Sequence, residues 1–433
     1  MKCGAWVTPK PRILFIPLMH PIFLIFMLFV AACHSPVENP LQKANEMLPL
    51  IRGDDYWKSQ AQRAVAHELF RQDQSERAEE LILQIQGYRR ALARLDGVEV
   101  LIQKGKFEEA SRLLLSYGAL PQEGVAQQSW EIMGRMFALG EASGCGAETL
   151  AAVEKAGILV PPIFQTLGKG SFMTAGAKEF SIDSSGSKDR KGNGKKVKLT
   201  ERQKGNSPGN GTSKEAPEGG EKLQARMKIS SGGLAILDRT EGLIALGKLN
   251  DAKDTIRQSL VEGVEFRMSN VGMRADSLRL AYQAGFQGEV AKSIDDILKI
   301  TRSQPKELDT AYLYWGKVVR LLGVLGMLDE ANTMTTEGAE RIRVGLPDFF
   351  QMQAYAELGT GVYQAGLEKG ARRLWNDALI VAEKIENPRS RAWGVFQVLL
   401  AQARAGATTI SEEEERMNRI KKNLPEAYAR IGQ

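Results

Sequence analysis

From about residue 51 the apolar positions fall at helical steps. In "YWKSQAQRAVAHELFRQDQSERAEELILQI" the residues Ala61, Ala64, Leu69, Ala78, Leu81 and Ile85 share one helical face. The segment that follows, "YRRALARLDGVEVLIQKGKFEEASRLLL", repeats this one at an offset of 32 residues. Tyr56 aligns with Tyr88, Ala61 with Ala93, Asp73 with Gly105, Ala78 with Ala110 and Leu81 with Leu113, which marks an internal repeat. Runs of β-branched residues with period two are scarce and aromatics make up only 7% of the chain, so the pattern predicts helices and no large sheet.

A short turn punctuates the helical segments. "GKFEEA" (Gly105–Ala110) recurs as "GKLNDA" (Gly247–Ala252), "GMLDEA" (Gly326–Ala331) and "GLEKGA" (Gly366–Ala371). "GFQGEVA" (Gly285–Ala291) reads as the same motif with one extra residue, and "AGATTISEEEE" from Ala405 as a version that has lost the alanine. The glycines at 285, 326, 366 and 406 are spaced by 41, 40 and 40 residues. Glycine takes the left-handed conformation that ends a helix, and alanine lets the next helix approach closely. These residues resemble the turn between the two helices of a tetratricopeptide repeat (TPR). The resemblance covers residues ~51–155 and ~232–425, and it is partial: the proline that usually ends the second TPR helix is mostly missing. The expected fold is all-α, a TPR-like α-solenoid of helix–turn–helix repeats interrupted by a long, disordered, basic insertion. The corresponding division is a signal peptide at 1–32, a tether at 33–50, helical repeats at 51–165, a linker at 166–231 and further repeats at 232–433.

The N-terminal segment has a different pattern. Lys2, Lys10 and Arg12 precede the apolar run Ile13–Val30, which is followed by Ala31, Ala32 and Cys33. A basic start, an apolar stretch and small residues make the layout of a secretory signal. Val30-Ala31-Ala32-Cys33 resembles the lipobox of bacterial lipoproteins. That resemblance implies cleavage between Ala32 and Cys33, diacylation of the Cys33 thiol and attachment to a membrane by several acyl chains. The eighteen-residue apolar run also approaches the length of a membrane span, so an uncleaved anchor helix is the competing reading. His34 in place of Asp after the cysteine implies, by the same resemblance, the periplasmic face of the outer membrane.

Charge changes the picture in one place. Residues 185–205 carry eight Lys/Arg and two Asp/Glu, an excess equal to the net +6 of the whole chain. The basic pI therefore describes one Gly/Ser/Lys-rich segment, which is too poor in apolar residues to order itself. No aromatics interleave with its Lys and Arg, so base stacking is not provided for and no nucleic-acid partner is expected. An anionic envelope polymer or lipid headgroup is the partner chemistry such a segment fits.

Candidate chemistry is sparse. The histidines are His20, His34 and His67, the cysteines Cys3, Cys33 and Cys145, and none forms a set with metal-ligand spacing. "KGNGKK" (Lys191–Lys196) lacks the spacing and the Ser/Thr of a phosphate loop. "SEEEER" (Ser411–Arg416) reads as a helix start, with Ser411 as cap and Glu414 closing a capping box. Trp57, Trp130, Trp315, Trp375 and Trp393 read as inter-repeat packing, with one of them available to a binding face. No cofactor, metal or catalytic residue is expected. The expected function is a lipid-anchored envelope scaffold that binds a protein or peptide partner through its helical-repeat surface. The alternatives are an envelope tether acting through the basic linker and an enzyme built on a helical scaffold.

Overall fold

The structure is a computed structural model that describes residues 39–52, 55–116, 126–155, 235–261, 271–303 and 309–431. Every regular element among them is helical. The helices are α1 Pro40–Met47, α2 Asp55–Arg71, α3 Ser75–Leu83, α4 Tyr88–Gln103, α5 Phe107–Leu115, α6 Ala126–Ser143 and α7 Gly146–Lys155. After a helix α8 over residues 235–245, they continue with α9 Leu249–Val261, α10 Val271–Gln283, α11 Gln287–Ser303, α12 Asp309–Val324 and α13 Leu328–Gly345. The last four are α14 Asp348–Gln364, α15 Glu368–Lys384, α16 Pro388–Ala405 and α17 Ser411–Ile431. Ala32, Cys33 and the basic segment 185–205 lie outside the described residues.

The recurrent turn has the geometry its residues require. Gly105, Gly247, Gly285, Gly326, Gly366 and Gly406 all have φ between 70° and 98°. In each case the N–H of the following residue donates back to the carbonyl five positions earlier, as from Lys106 to Leu101 (2.8 Å) and from Met327 to Leu322 (2.9 Å). Asp73, aligned with Gly105 in the repeat, adopts the same left-handed conformation at φ 59°. Gly144 makes a further turn of this type, with Cys145 N–H donating to Gly140 O at 2.8 Å.

The alanine position also holds, with one correction. Ala110, Ala252, Ala331 and Ala371 are fully buried where each outer helix meets its inner partner. The fifth motif carries no extra residue. Val290 N–H donates to Phe286 O, the same bond that Ala331 makes to Met327. Val290 is the buried residue, while Ala291 is exposed. The turn therefore accepts a β-branched side chain in the alanine slot.

Two further expectations change. Residues 40–50, read as part of a tether, form α1 and a 3-10 turn. Asn39 caps α1 by accepting the Leu41 N–H at 2.9 Å, Pro40 occupies its first turn, and Leu41, Ala44 and Met47 make a buried stripe. The cap of α17 sits one residue earlier than the sequence implies. Ile410 is the capping residue, its N–H donates to the Glu413 carboxylate at 3.1 Å, and Ser411 is exposed.

Apart from α6, which packs on α4, the even-numbered helices form an inner layer and the odd-numbered ones pack against it. Neighbouring inner helices pack through small residues. Gly361 of α14 lies against the Gly316 carbonyl of α12, and Gly242 of α8 against the Ile102 carbonyl of α4. The tryptophans behave as packing residues: Trp315 Nε1 donates to Met334 O at 2.7 Å and Trp375 Nε1 to Ala356 O at 3.2 Å. A glycine backs each indole, Gly338 and Gly359 respectively. Trp130 belongs to α6.

The inner layer closes on itself. The series α2, α4, α8, α10, α12, α14, α16 is continuous in contact, and α16 packs against both α1 and α2. Arg404 of α16 pairs with Glu68 of α2 at 3.1 Å, Lys43 of α1 with Glu414 of α17 at 2.8 Å, and Tyr428 Oη donates to Leu50 O at 2.8 Å. The first repeats thus meet the last, and the solenoid is a ring.

Candidate functional site

Ring closure turns the concave side of the repeats into a lumen. Its lining is set by register. Counting back from the turn glycine, positions nine, six and two of the inner helices face inward. They read Asp96, Glu99 and Gln103 in α4, Asp276, Arg279 and Gln283 in α10, and Lys317 and Arg320 in α12. Charged groups here keep contact with water although they belong to the inner layer: side-chain exposure is 28% for Glu99, 32% for Glu241 and 43% for Lys317.

These charges are joined around the ring. Arg63 of α2 pairs with Asp96, which also receives Arg135 of α6 at 2.7 Å. Asp276 accepts Lys317 across the α10–α12 contact at 2.7 Å. Arg404 bridges Glu68 and Glu357. Burial disfavours ionisation of Asp96, but the Arg63 hydrogen bond and the Arg135 charge outweigh it and hold the carboxyl below its usual range. Asp238 behaves oppositely. Burial, reinforced by the Glu99 and Glu241 charges, pushes its carboxyl well above the usual range, against the Gln103 amide donating to it at 2.8 Å. His67 lies half-buried in the same lining with Nδ1 2.9 Å from Glu68 Oε1. Cys145 is buried, its Sγ 3.2 Å from Ser143 Oγ.

The rim formed by the starts of the inner helices carries an aromatic cluster at the closure. Trp57 of α2 makes edge contacts with Phe349 of α14 at 6.0 Å and Trp393 of α16 at 5.0 Å. Tyr56 and Phe350 flank them and stay 44% and 38% exposed. Arg89 of α4 lies over Tyr56 at 5.1 Å and over Tyr88 at 5.4 Å. Trp57 is half-buried where Trp315, Trp375 and Trp393 are buried, and the cluster draws on residues almost 340 positions apart in sequence.

The turn motifs are visible in the sequence, with Val290 in place of Ala291, but neither the lumen nor the aromatic rim is. The signal for the lumen is the polar residue at the same three distances before each glycine; the rim has none, because it exists only once the ring closes. Among the described residues no helix is long and apolar enough to cross a membrane, and no group of three or more His, Cys, Asp or Glu is placed to hold a metal ion. No protein-family model matches this chain, and no curated protein matches it.

Proposed function

We propose that this protein is a lipid-anchored scaffold of the bacterial envelope, attached through Cys33 at the periplasmic face of the outer membrane, that docks a partner protein on the aromatic rim of its helical ring. The observation that carries the docking is the cluster of Tyr56, Trp57, Phe349 and Phe350 beside Arg89, with Tyr56 and Phe350 left in water. Aromatic residues and arginine are the side chains that dominate protein interfaces, the rings because they bury much area for little lost rotamer freedom and arginine because its planar fork makes several hydrogen bonds at once. A partner segment carrying an apolar side chain completes the half-covered rings. Support for the anchor comes from Val30-Ala31-Ala32-Cys33 and from the basic and apolar residues that precede it.

The test is site-specific photocrosslinking in envelopes. A photoreactive residue at Tyr56 or Phe350 should capture one partner band that is absent when the probe replaces Leu115, an exposed apolar residue elsewhere. Equal capture at all three positions, or none, removes the docking assignment. Anchoring is read separately: Cys33→Ser should release the chain from membranes and remove the acyl mass from its N-terminal peptide.

A further inference from the structure

The charges of the lumen do not all find partners. Asp276 and Lys317 pair across α10 and α12, and one helical turn onward on the same faces stand Arg279 and Arg320. The two helices are packed closely, Gly272 of α10 lying against the Tyr314 ring of α12, and the Arg279 charge acts on Arg320, so these two guanidiniums are neighbours. Arg279 reaches Glu241 of α8 at 3.2 Å and approaches Asp276 at 3.7 Å, and its side chain is only 5% exposed. Its Nε is buried with no hydrogen-bond partner. Arg320 has neither an ion pair nor a side-chain hydrogen bond among the described residues. Burial, and next to it the Arg279 charge, lowers the Arg320 pKa, with a further contribution from Arg71 of α2; Glu241 and Asp276 offset this in part. A buried donor left unsatisfied and an unpaired cation beside it are costly in a folded protein. Two forked cations side by side on the concave face of the ring are an arrangement that oxyanions complete, each fork giving parallel N–H···O bonds.

We propose that Arg279 and Arg320 form an oxyanion site in the lumen, which binds a phosphate or carboxylate group of a small or peptide-borne ligand. The site is independent of the docking rim and of the lipid anchor, so either can fail without the other.

The experiment uses the full chain in detergent, in low-chloride buffer, titrated calorimetrically with inorganic phosphate and separately with succinate. Saturable binding of phosphate alone assigns a phosphoryl ligand, and saturable binding of succinate alone assigns a carboxylate. Arg320→Gln should weaken the preferred anion by about tenfold or more, the loss expected of a charged hydrogen bond, and Arg320→Lys should retain part of it. Arg343→Gln, which removes an exposed arginine of α13 paired with Glu340, should bind as the unmodified chain does. Thermal melts separate binding from architecture. Without anion Arg320→Gln should melt at or above the unmodified protein, and the preferred anion should raise the melting temperature of the unmodified protein only. Absence of saturable binding by both probes overturns the site. So does an Arg320→Gln variant that binds undiminished, or one that melts lower while gaining as much from the anion as the unmodified chain.

Discussion

Individual residues in this ring are placed by two separate constraints that a glycine or a charge can express. At Gly366 the constraint is φ 86°, with open space around the missing side chain. At Gly359 it is room: a Cβ would fall 2.5 Å from Trp375 Nε1. Only the first kind is legible in sequence, because a turn glycine sits between two helical patterns, whereas Gly359 interrupts nothing. Asp238 shows what burial does to a charge in the lumen lining. Its folded-state pKa is raised above the unfolded value, so its contribution to stability is fully present below the unfolded pKa of about 3.9 and is lost as pH rises through the folded pKa. Asp238→Asn keeps an oxygen for the Gln103 amide and removes the charge. Relative to this variant, the unmodified protein should lose up to about 1.4 kcal/mol per pH unit across that window. Urea titrations of both proteins between pH 4 and pH 9 measure the gap, and a gap that does not grow with pH dismisses the protonated Asp238.

Helices and turns were the most legible level. Six glycine turns and the Asp73 equivalent can be read directly, because each breaks a helical pattern. The failures at this level have physical causes. Ala291 matches the motif by residue type, but the buried slot is defined by distance from the glycine, and Val290 fills it. Thr149 fills the same slot after Gly144, its N–H donating to Cys145 O at 2.9 Å, and the acidic Glu148 just before it matches Glu109 and Glu330 of the other turns. The motif was therefore present in "GCGAET" but disguised by a threonine. α1 is hard to see in the sequence because its apolar stripe of Leu41, Ala44 and Met47 spans only two turns and follows a polar stretch. The corrected register has a measurable consequence. Ala291→Lys should change stability by no more than about 0.5 kcal/mol, as exposed substitutions do. Ala331→Leu should cost about 1–3 kcal/mol by overfilling the helix contact. Denaturant melts of the two variants check the pair, and a costly Ala291→Lys restores the longer turn.

At the scale of the molecule, the segment between α7 and α8 is bridged by contacts on both flanks. On one side Gln103 of α4 donates to Asp238 of α8 and Gly242 packs on the Ile102 carbonyl. On the other, Trp57 meets Trp393, and Glu68 meets Arg404. The backbone link between the halves is thus not what holds them together. With a protease site placed within residues 185–205, cleavage of the full chain should leave two fragments that elute as one species in gel filtration. Fragments that separate without denaturant show that the closure contacts are too weak to join the ring. This level was the least legible, since repeats that stack openly and repeats that close have the same local periodicity, and the difference lies in how much each pair rotates against the next.

Closure also constrains what the chain is free to become. An open array of helix pairs gains or loses a pair by duplication or deletion with little penalty, because each unit touches only its neighbours and the ends are free. Here Arg404 must arrive at Glu68 and Tyr428 at Leu50, so the rotations contributed by all pairs must sum to one full revolution. An inserted or deleted pair overshoots or falls short of that sum. The number of repeats is therefore a quantised property of this molecule, fixed by the meeting of its first and last helices.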